Sequence, residues 1–116
     1  MNKVYMTWEM FDNAIDKIIN EIAEHNWYFD GVYGVPNGGL VLAVTLSYRL
    51  KLPLLISPTR NTLTVDDISD SGATLATVKG KKIVTLYSTK WTKTIPDFHV
   101  YEKEMMEDWI VFPYEE

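Results

Sequence analysis

The sequence predicts an α/β domain, a mainly parallel twisted sheet flanked by helices. Three observations carry that expectation. Short apolar runs alternate with helix-period stretches, the connections between them are short, and glycine-bearing turns at Pro36-Asn37-Gly38-Gly39 and Ser71-Gly72 stand where a strand gives way to a helix. Ligands of such sheets settle beyond the carboxyl ends of the strands, so both turns are expected to face one crevice. At 116 residues the chain suits a single domain, 1–116, with one hydrophobic core.

Thr7 stands as an N-cap, with Met6 and Phe11 placed to close a hydrophobic staple around it. Phe11, Ile15, Ile18 and Ile22 recur at helical spacing, while Asp12, Asp16, Glu21 and Glu24 fall mostly opposite. This predicts an amphipathic helix over 7–26. Residues 31–35 read as a short buried strand, and 40–50 as a helix that is apolar on most sides. Residues 53–56 read as a second strand and 57–61 as a turn. Thr62 to Val65 alternates polar and apolar, which predicts a strand with one thinly covered face. Residues 73–78 allow about two turns of helix, with Gly80 as its C-cap. Strands follow at 82–87 and 98–101, separated by a loop that holds Lys90 and Trp91. The tail, 103–116, carries the apolar patch Trp109-Ile110-Val111-Phe112, stopped by Pro113.

Composition narrows the function. Hydrophobic residues make up 47% and charged residues 23%, which is unlike a disordered chain. The net charge of -5 and the absence of a basic stripe argue against nucleic-acid binding. There is no cysteine, hence no disulfide, thiol nucleophile or cysteine-based zinc site. The longest apolar run, Leu40 to Val44, is far short of the ~20 residues that span a bilayer. Glu9 and Asp12 interrupt the N-terminus before any leader-like stretch. A soluble, cytoplasmic protein with no membrane contact is the expectation. His25 and His99 are far apart and argue against a metal site between them.

The chemistry concentrates in Thr64-Val65-Asp66-Asp67-Ile68-Ser69-Asp70-Ser71-Gly72-Ala73-Thr74-Leu75. Unpaired backbone N–H groups at a helix start favour a phosphate, Gly72 permits close approach, and Ser71 and Thr74 add hydroxyl donors. Asp66 and Asp67 would repel phosphate; they suit sugar hydroxyls or a hydrated Mg²⁺. On their own they equally suit an acidic turn capping a helix.

Residues 65–74 resemble the phosphoribosyl-diphosphate motif of the type I phosphoribosyltransferases. Gly34-Val35-Pro36-Asn37-Gly38-Gly39-Leu40-Val41 resembles their pyrophosphate loop, and the tail from Lys90 to Glu115 is similar to the 6-oxopurine (xanthine–guanine and hypoxanthine) branch. The resemblance implies a type I phosphoribosyltransferase-like core that transfers a phosphoribosyl group from phosphoribosyl diphosphate to guanine, xanthine or hypoxanthine in purine salvage. It implies that Asp70, Ser71, Gly72, Ala73 and Thr74 hold the 5′-phosphate, and Asp66 and Asp67 the ribose, with Asp67 also near Mg²⁺. It assigns Pro36, Asn37, Gly38 and Gly39 to pyrophosphate, Lys90 to the 6-oxo group, Trp109 to stacking on the base, and the Ile110 backbone to the 2-substituent. Asp70 becomes the general acid/base, and a homodimer is expected.

Two departures stand out. Asn37 occupies a position where the family often carries Arg or Lys, and only residues 57–61 stand in place of the long flexible loop before the acidic motif. Arg60 is the one cation there available to substitute. These departures leave open a non-catalytic module of the same fold, binding phosphoribosyl diphosphate or a nucleotide. Trp27 and Trp91 are read as packing residues.

Overall fold

Strand β3 (Thr62–Ser69) is the axis of the computed structural model, which describes residues 2–78 and 80–115. Around it lie β2 (Gly31–Gly34), β4 (Lys82–Ser88) and β5 (Phe98–Glu102), all parallel, in the order β2-β3-β4-β5. In register, Val65 stands between Gly34 and Val84. A separate parallel pair joins β1 (Asn2–Tyr5) to β6 (Asp108–Val111), matching Val4 to Ile110.

Helix α1 (Trp8–Glu24) begins where the Thr7 hydroxyl accepts a hydrogen bond from the Met10 amide at 3.1 Å, and it is capped at His25. Helix α2 (Leu40–Leu50) ends on Lys51 in the left-handed region, φ 56°. The first packs on β4 and β5, the second on β2 and β3, and the two helices touch. Phe11, Ile15 and Ile18 meet Leu42, Leu46, Val65, Val84 and Leu86 in one buried cluster, the main apolar reward of folding. Among the described residues, no helix is long and apolar enough to cross a membrane.

Four expectations change. The acidic motif is part of the strand, since β3 runs on through Asp66 and Asp67 to Ser69. Its face is not thinly covered either: Thr62, Leu63, Thr64 and Val65 are all fully buried. The polar side is covered by loops that answer the hydroxyls. Thr59 donates its amide to the Thr62 hydroxyl at 2.8 Å, and the chain returning through Gly80 runs directly against Thr64. Residues 53–56 form no strand beyond a single bridge, Val32 to Leu54. They lie at the open edge of the sheet, where Ile56 is 99% exposed and no further strand pairs among the described residues. The expected helix over 73–78 shrinks to one 3-10 turn, Leu75–Thr77, with Val78 already extended. Thr74, Thr77 and Val78 are weak helix formers, and the chain must turn back at once toward β4.

Candidate active site

The carboxyl edge of β3 presents Asp66, Asp67 and Asp70 between the two glycine turns, and Gly38 brings the turns together. A Cβ at Gly38 would run into the Asp67 carboxylate, so only glycine lets this loop lie against β3. The Pro36–Asn37 peptide is cis. Gly39, at the start of α2, donates its amide to the Val35 carbonyl at 2.8 Å, which folds 36–39 back over the strand end.

Beyond β3 the chain bends through Ser71 and Gly72, whose φ of 84° needs glycine. The carbonyls of this bend face away from the crevice. Lys93 donates its amide to the Ser71 carbonyl at 2.9 Å, and Thr94 its hydroxyl to the Gly72 carbonyl at 2.6 Å. Among the described residues no acceptor meets the N–H groups of Gly72, Thr74 or Leu75. They line a cavity of about 230 Å³ spanning Asp66 to Leu75, together with the Ser71 and Thr74 hydroxyls. Free amides and hydroxyls around an open bend make an anion cradle without a long helix behind it.

Asp66 and Asp67 are consecutive at the end of β3, and their carboxyls are hydrogen-bonded to each other. The Asp66 carboxylate accepts from the Asp67 amide at 2.8 Å, and that of Asp67 from the Ile68 amide at 2.7 Å. Burial, then the neighbouring charge of Asp67 and a hydrogen bond to it, push the Asp66 carboxyl up to about 8. Burial also raises Asp67; hydrogen bonds from Asp66 and the Ile68 amide restrain the rise, and the charge of Glu115 adds to it. Among the described residues no cation forms an ion pair with either carboxylate. Among the described residues no group of three or more His, Cys, Asp or Glu is arranged to hold a metal. Two carboxylates alone still suit a Mg²⁺ that keeps water and takes its other ligands from substrate oxygens.

A second cavity, about 270 Å³, shares Asp67, Ile68 and Asp70 with the first and opens toward the tail, where Trp109, Ile110 and Phe112 wall it. Trp109 is 55% exposed and presents its ring to the cavity. In the β1–β6 pair, Asn2 and Met6 donate to the carbonyls of Glu107 and Val111, so by alternation the peptide groups of Ile110 face away from β1. The tail also closes on the glycine loop: the Tyr114 hydroxyl donates to the Gly38 carbonyl at 3.1 Å, and burial raises its pKa. Glu115 accepts from the Phe112 amide at 2.8 Å and lines the same cavity.

Of the residues singled out in the sequence, the structure gathers Asp66, Asp67, Asp70, Ser71, Gly72, Ala73 and Thr74 around the first cavity, with Trp109 and Ile110 on the second. The glycine loop meets them through the Gly38 approach to Asp67. Lys90 is not brought in; it is exposed and lines neither cavity, while its neighbour Thr89 is buried and donates to the Asp70 carbonyl at 2.8 Å. Trp91 is more than packing, because its indole N–H donates to the Asp70 carboxylate at 3.0 Å. Arg60 lies at the amino end of β3. The adjoining Asn61 is tied there to Asp30 at 3.0 Å, five residue steps and roughly 16 Å along the strand from Asp66. It cannot stand in for a missing charge at the site. The residue missed in the sequence is Lys103, whose ammonium lines the second cavity and donates to the other Asp70 carboxylate oxygen at 2.7 Å. Nothing local marks it, for it sits among Glu102, Glu104 and exposed methionines like a surface lysine.

No protein-family model matches the chain, and no curated protein matches it by sequence. Solved structures do. A purine phosphoribosyltransferase from Pyrococcus horikoshii is 34% identical, covering all of this chain and 96% of its own, with a TM-score of 0.81. A xanthine-guanine-hypoxanthine phosphoribosyltransferase from Helicobacter pylori superposes at 0.81 with 20% identity, over 96% of this chain and 92% of its own. A hypothetical protein from Neisseria gonorrhoeae with bound ppGpp superposes at 0.74 with 17% identity, over 99% and 90%. The latter two share the fold, and the first shares sequence over nearly its full length as well. With an anion cradle, a paired carboxylate edge and a glycine loop on a parallel sheet, the chain belongs to the type I phosphoribosyltransferase family.

Proposed function

We propose that the chain transfers the 5-phosphoribosyl group from phosphoribosyl diphosphate to a 6-oxopurine (guanine, xanthine or hypoxanthine), releasing pyrophosphate in purine salvage. The observation that carries this reading is the pair of contiguous cavities meeting at Asp67, Ile68 and Asp70, one ringed by amides and hydroxyls, the other walled by Trp109 and Ile110.

In this reading the bend from Asp70 to Thr74 holds the 5′-phosphate, and Asp66 and Asp67 face the ribose hydroxyls. Pro36, Asn37, Gly38 and Gly39 line the pyrophosphate. Transfer passes through an oxocarbenium-like state, so carboxylates beside the ribose stabilise developing positive charge. Asp67, with Asp66 beside it, would hold Mg²⁺, which when bound neutralises the leaving pyrophosphate. Trp109 stacks on the base and the outward peptide groups of Ile110 reach its 2-substituent. Asp70 manages the purine N7 proton as general acid/base, a contribution of ~10²–10⁴-fold where such a group acts. A homodimer belongs to the same proposal; its support is the exposed row Leu40, Val44 and Tyr48 along α2. The salvage role carries a cytoplasmic setting with it.

Pyrophosphate release in the presence of Mg²⁺, phosphoribosyl diphosphate and each purine in turn tests the reading. Turnover with guanine, xanthine or hypoxanthine supports it; nucleotide binding with no turnover would overturn it in favour of a non-catalytic binding module. One observation favours that second reading: residues 57–61 are fixed at the far end of the sheet by the Asn61–Asp30 contact, where they cannot cover the site.

A further inference from the structure

We propose that Tyr114 is a positioning residue for the glycine loop. Its hydroxyl clamps the Gly38 carbonyl, so that residues 36–39 offer preset amides to pyrophosphate in place of the charge that Asn37 does not bring. The inference deepens the phosphoribosyl-transfer reading above and rests on it.

The clamp closes on a single peptide unit. The Gly39 amide donates to the Val35 carbonyl at 2.8 Å, and the Gly38 carbonyl accepts from the Tyr114 hydroxyl at 3.1 Å. The peptide between the two glycines is therefore held at both ends. One restraint is local, and the other comes from a residue 76 positions further along the chain. With no Cβ on either side, this peptide is also the one in the loop that turns most freely once released. A released carbonyl adds its negative end to a crevice that already holds Asp66 and Asp67, against whose carboxylate Gly38 lies. Held, the loop keeps that oxygen occupied. The amides of Asn37 and Gly38 meet no acceptor among the described residues, and they stay free for an anion.

The phenol is fixed before any ligand arrives. Its ring stacks on Phe112 at 5.7 Å between centroids and meets Phe11 edge-on at 6.2 Å, with Trp8 at 6.3 Å. Its backbone lies in the 3-10 turn Pro113–Glu115, closed where the Glu115 amide donates to the Phe112 carbonyl at 3.1 Å. The Glu115 carboxylate accepts from the Phe112 amide at 2.8 Å and tightens the same turn. Little ordering is left to be done on binding, which is what preorganisation contributes to affinity. The wall of the second cavity does not depend on this hydroxyl. It is held by the pairing of β6 with β1 and by the Met6 amide on the Val111 carbonyl at 2.9 Å.

Calorimetric titration of the wild type and Tyr114→Phe, each with Mg²⁺, against pyrophosphate, phosphoribosyl diphosphate and guanosine 5′-monophosphate tests the assignment. The variant keeps the ring and its packing on Phe11 and Phe112, so the fold is retained. Pyrophosphate and phosphoribosyl diphosphate should each lose roughly five- to ten-fold in affinity, the effect of one hydrogen bond. The nucleotide, which has no group for the loop, should stay within about two-fold. A tyrosine that only supports the fold would weaken all three ligands together or none of them, and either pattern would overturn the proposal. A wild type that binds the nucleotide but neither diphosphate overturns it as well. If the wild type binds none of the three, the phosphoribosyl-transfer reading fails and takes the clamp with it; if it binds all three and Tyr114→Phe does so equally well, the clamp alone is removed.

Discussion

Replacing Asp66 by Asn should remove a pH dependence that this single carboxyl imposes on the free protein. Its pKa rises from 3.8 unfolded to about 8 folded, chiefly by burial and then by Asp67. Between these values the folded state holds a proton that the unfolded state has lost, so stability is full below pH ~4 and falls as pH rises through ~8. At ~1.4 kcal/mol per pKa unit the ceiling is roughly 5–6 kcal/mol. Relaxation around the pair and the proton it shares with Asp67 reduce the readable part to ~2–3 kcal/mol between pH 5 and 8. Asparagine keeps the oxygen that accepts from the Asp67 amide, and its NH₂ replaces the acid proton toward Asp67. In urea unfolding with a chelator present, the advantage of Asp66→Asn over wild type should therefore grow by ~2 kcal/mol from pH 5 to 8. Curves that stay parallel within ~0.5 kcal/mol would refute the reasoning.

Gly38→Ala drives a methyl against the Asp67 carboxylate; the affinity for phosphoribosyl diphosphate with Mg²⁺ should fall at least ~ten-fold by calorimetric titration, a loss of ~1.4 kcal/mol. Trp109→Ala removes a half-exposed ring, so nucleotide affinity should drop by ~1–3 kcal/mol while the urea-derived stability moves by less than ~1 kcal/mol. Tyr114→Phe deletes only the hydroxyl that donates to the Gly38 carbonyl, and should cost ~1 kcal/mol in urea unfolding.

The parts of this fold that were legible in the sequence are those written in local patterns. The stripe from Phe11 to Ile22 and the glycine turns each declare themselves within a few residues, and α1, α2 and the crevice between the turns follow. Pairing between distant segments has no such signature. Asn2–Tyr5 is exposed throughout and shows no alternation, because what makes it a strand is Asp108–Val111 at the other end of the chain. The threonines of β3 suggested an open face, yet Thr59 and Gly80 arrive from elsewhere to cover them. The candidate site divides in the same way. The half proposed for the sugar phosphate is one continuous stretch, Asp66 to Leu75, and could be read residue by residue. The half proposed for the base is assembled from three separated pieces, and there Lys90 attracted notice by standing just beyond β4 while Lys103 passed for a surface charge.

The pairing of β1 with β6 also orders events during synthesis. Trp109 and Ile110 stand on a strand whose only partner among the described residues is Asn2–Tyr5. Asn2–Tyr5 must therefore wait for Asp108–Val111, far later in synthesis, before the wall of the second cavity exists. Every residue from Asp66 to Leu75 and the strands on either side of β3 emerge earlier. A nascent chain thus acquires the proposed phosphate cradle before the proposed purine cavity has its wall.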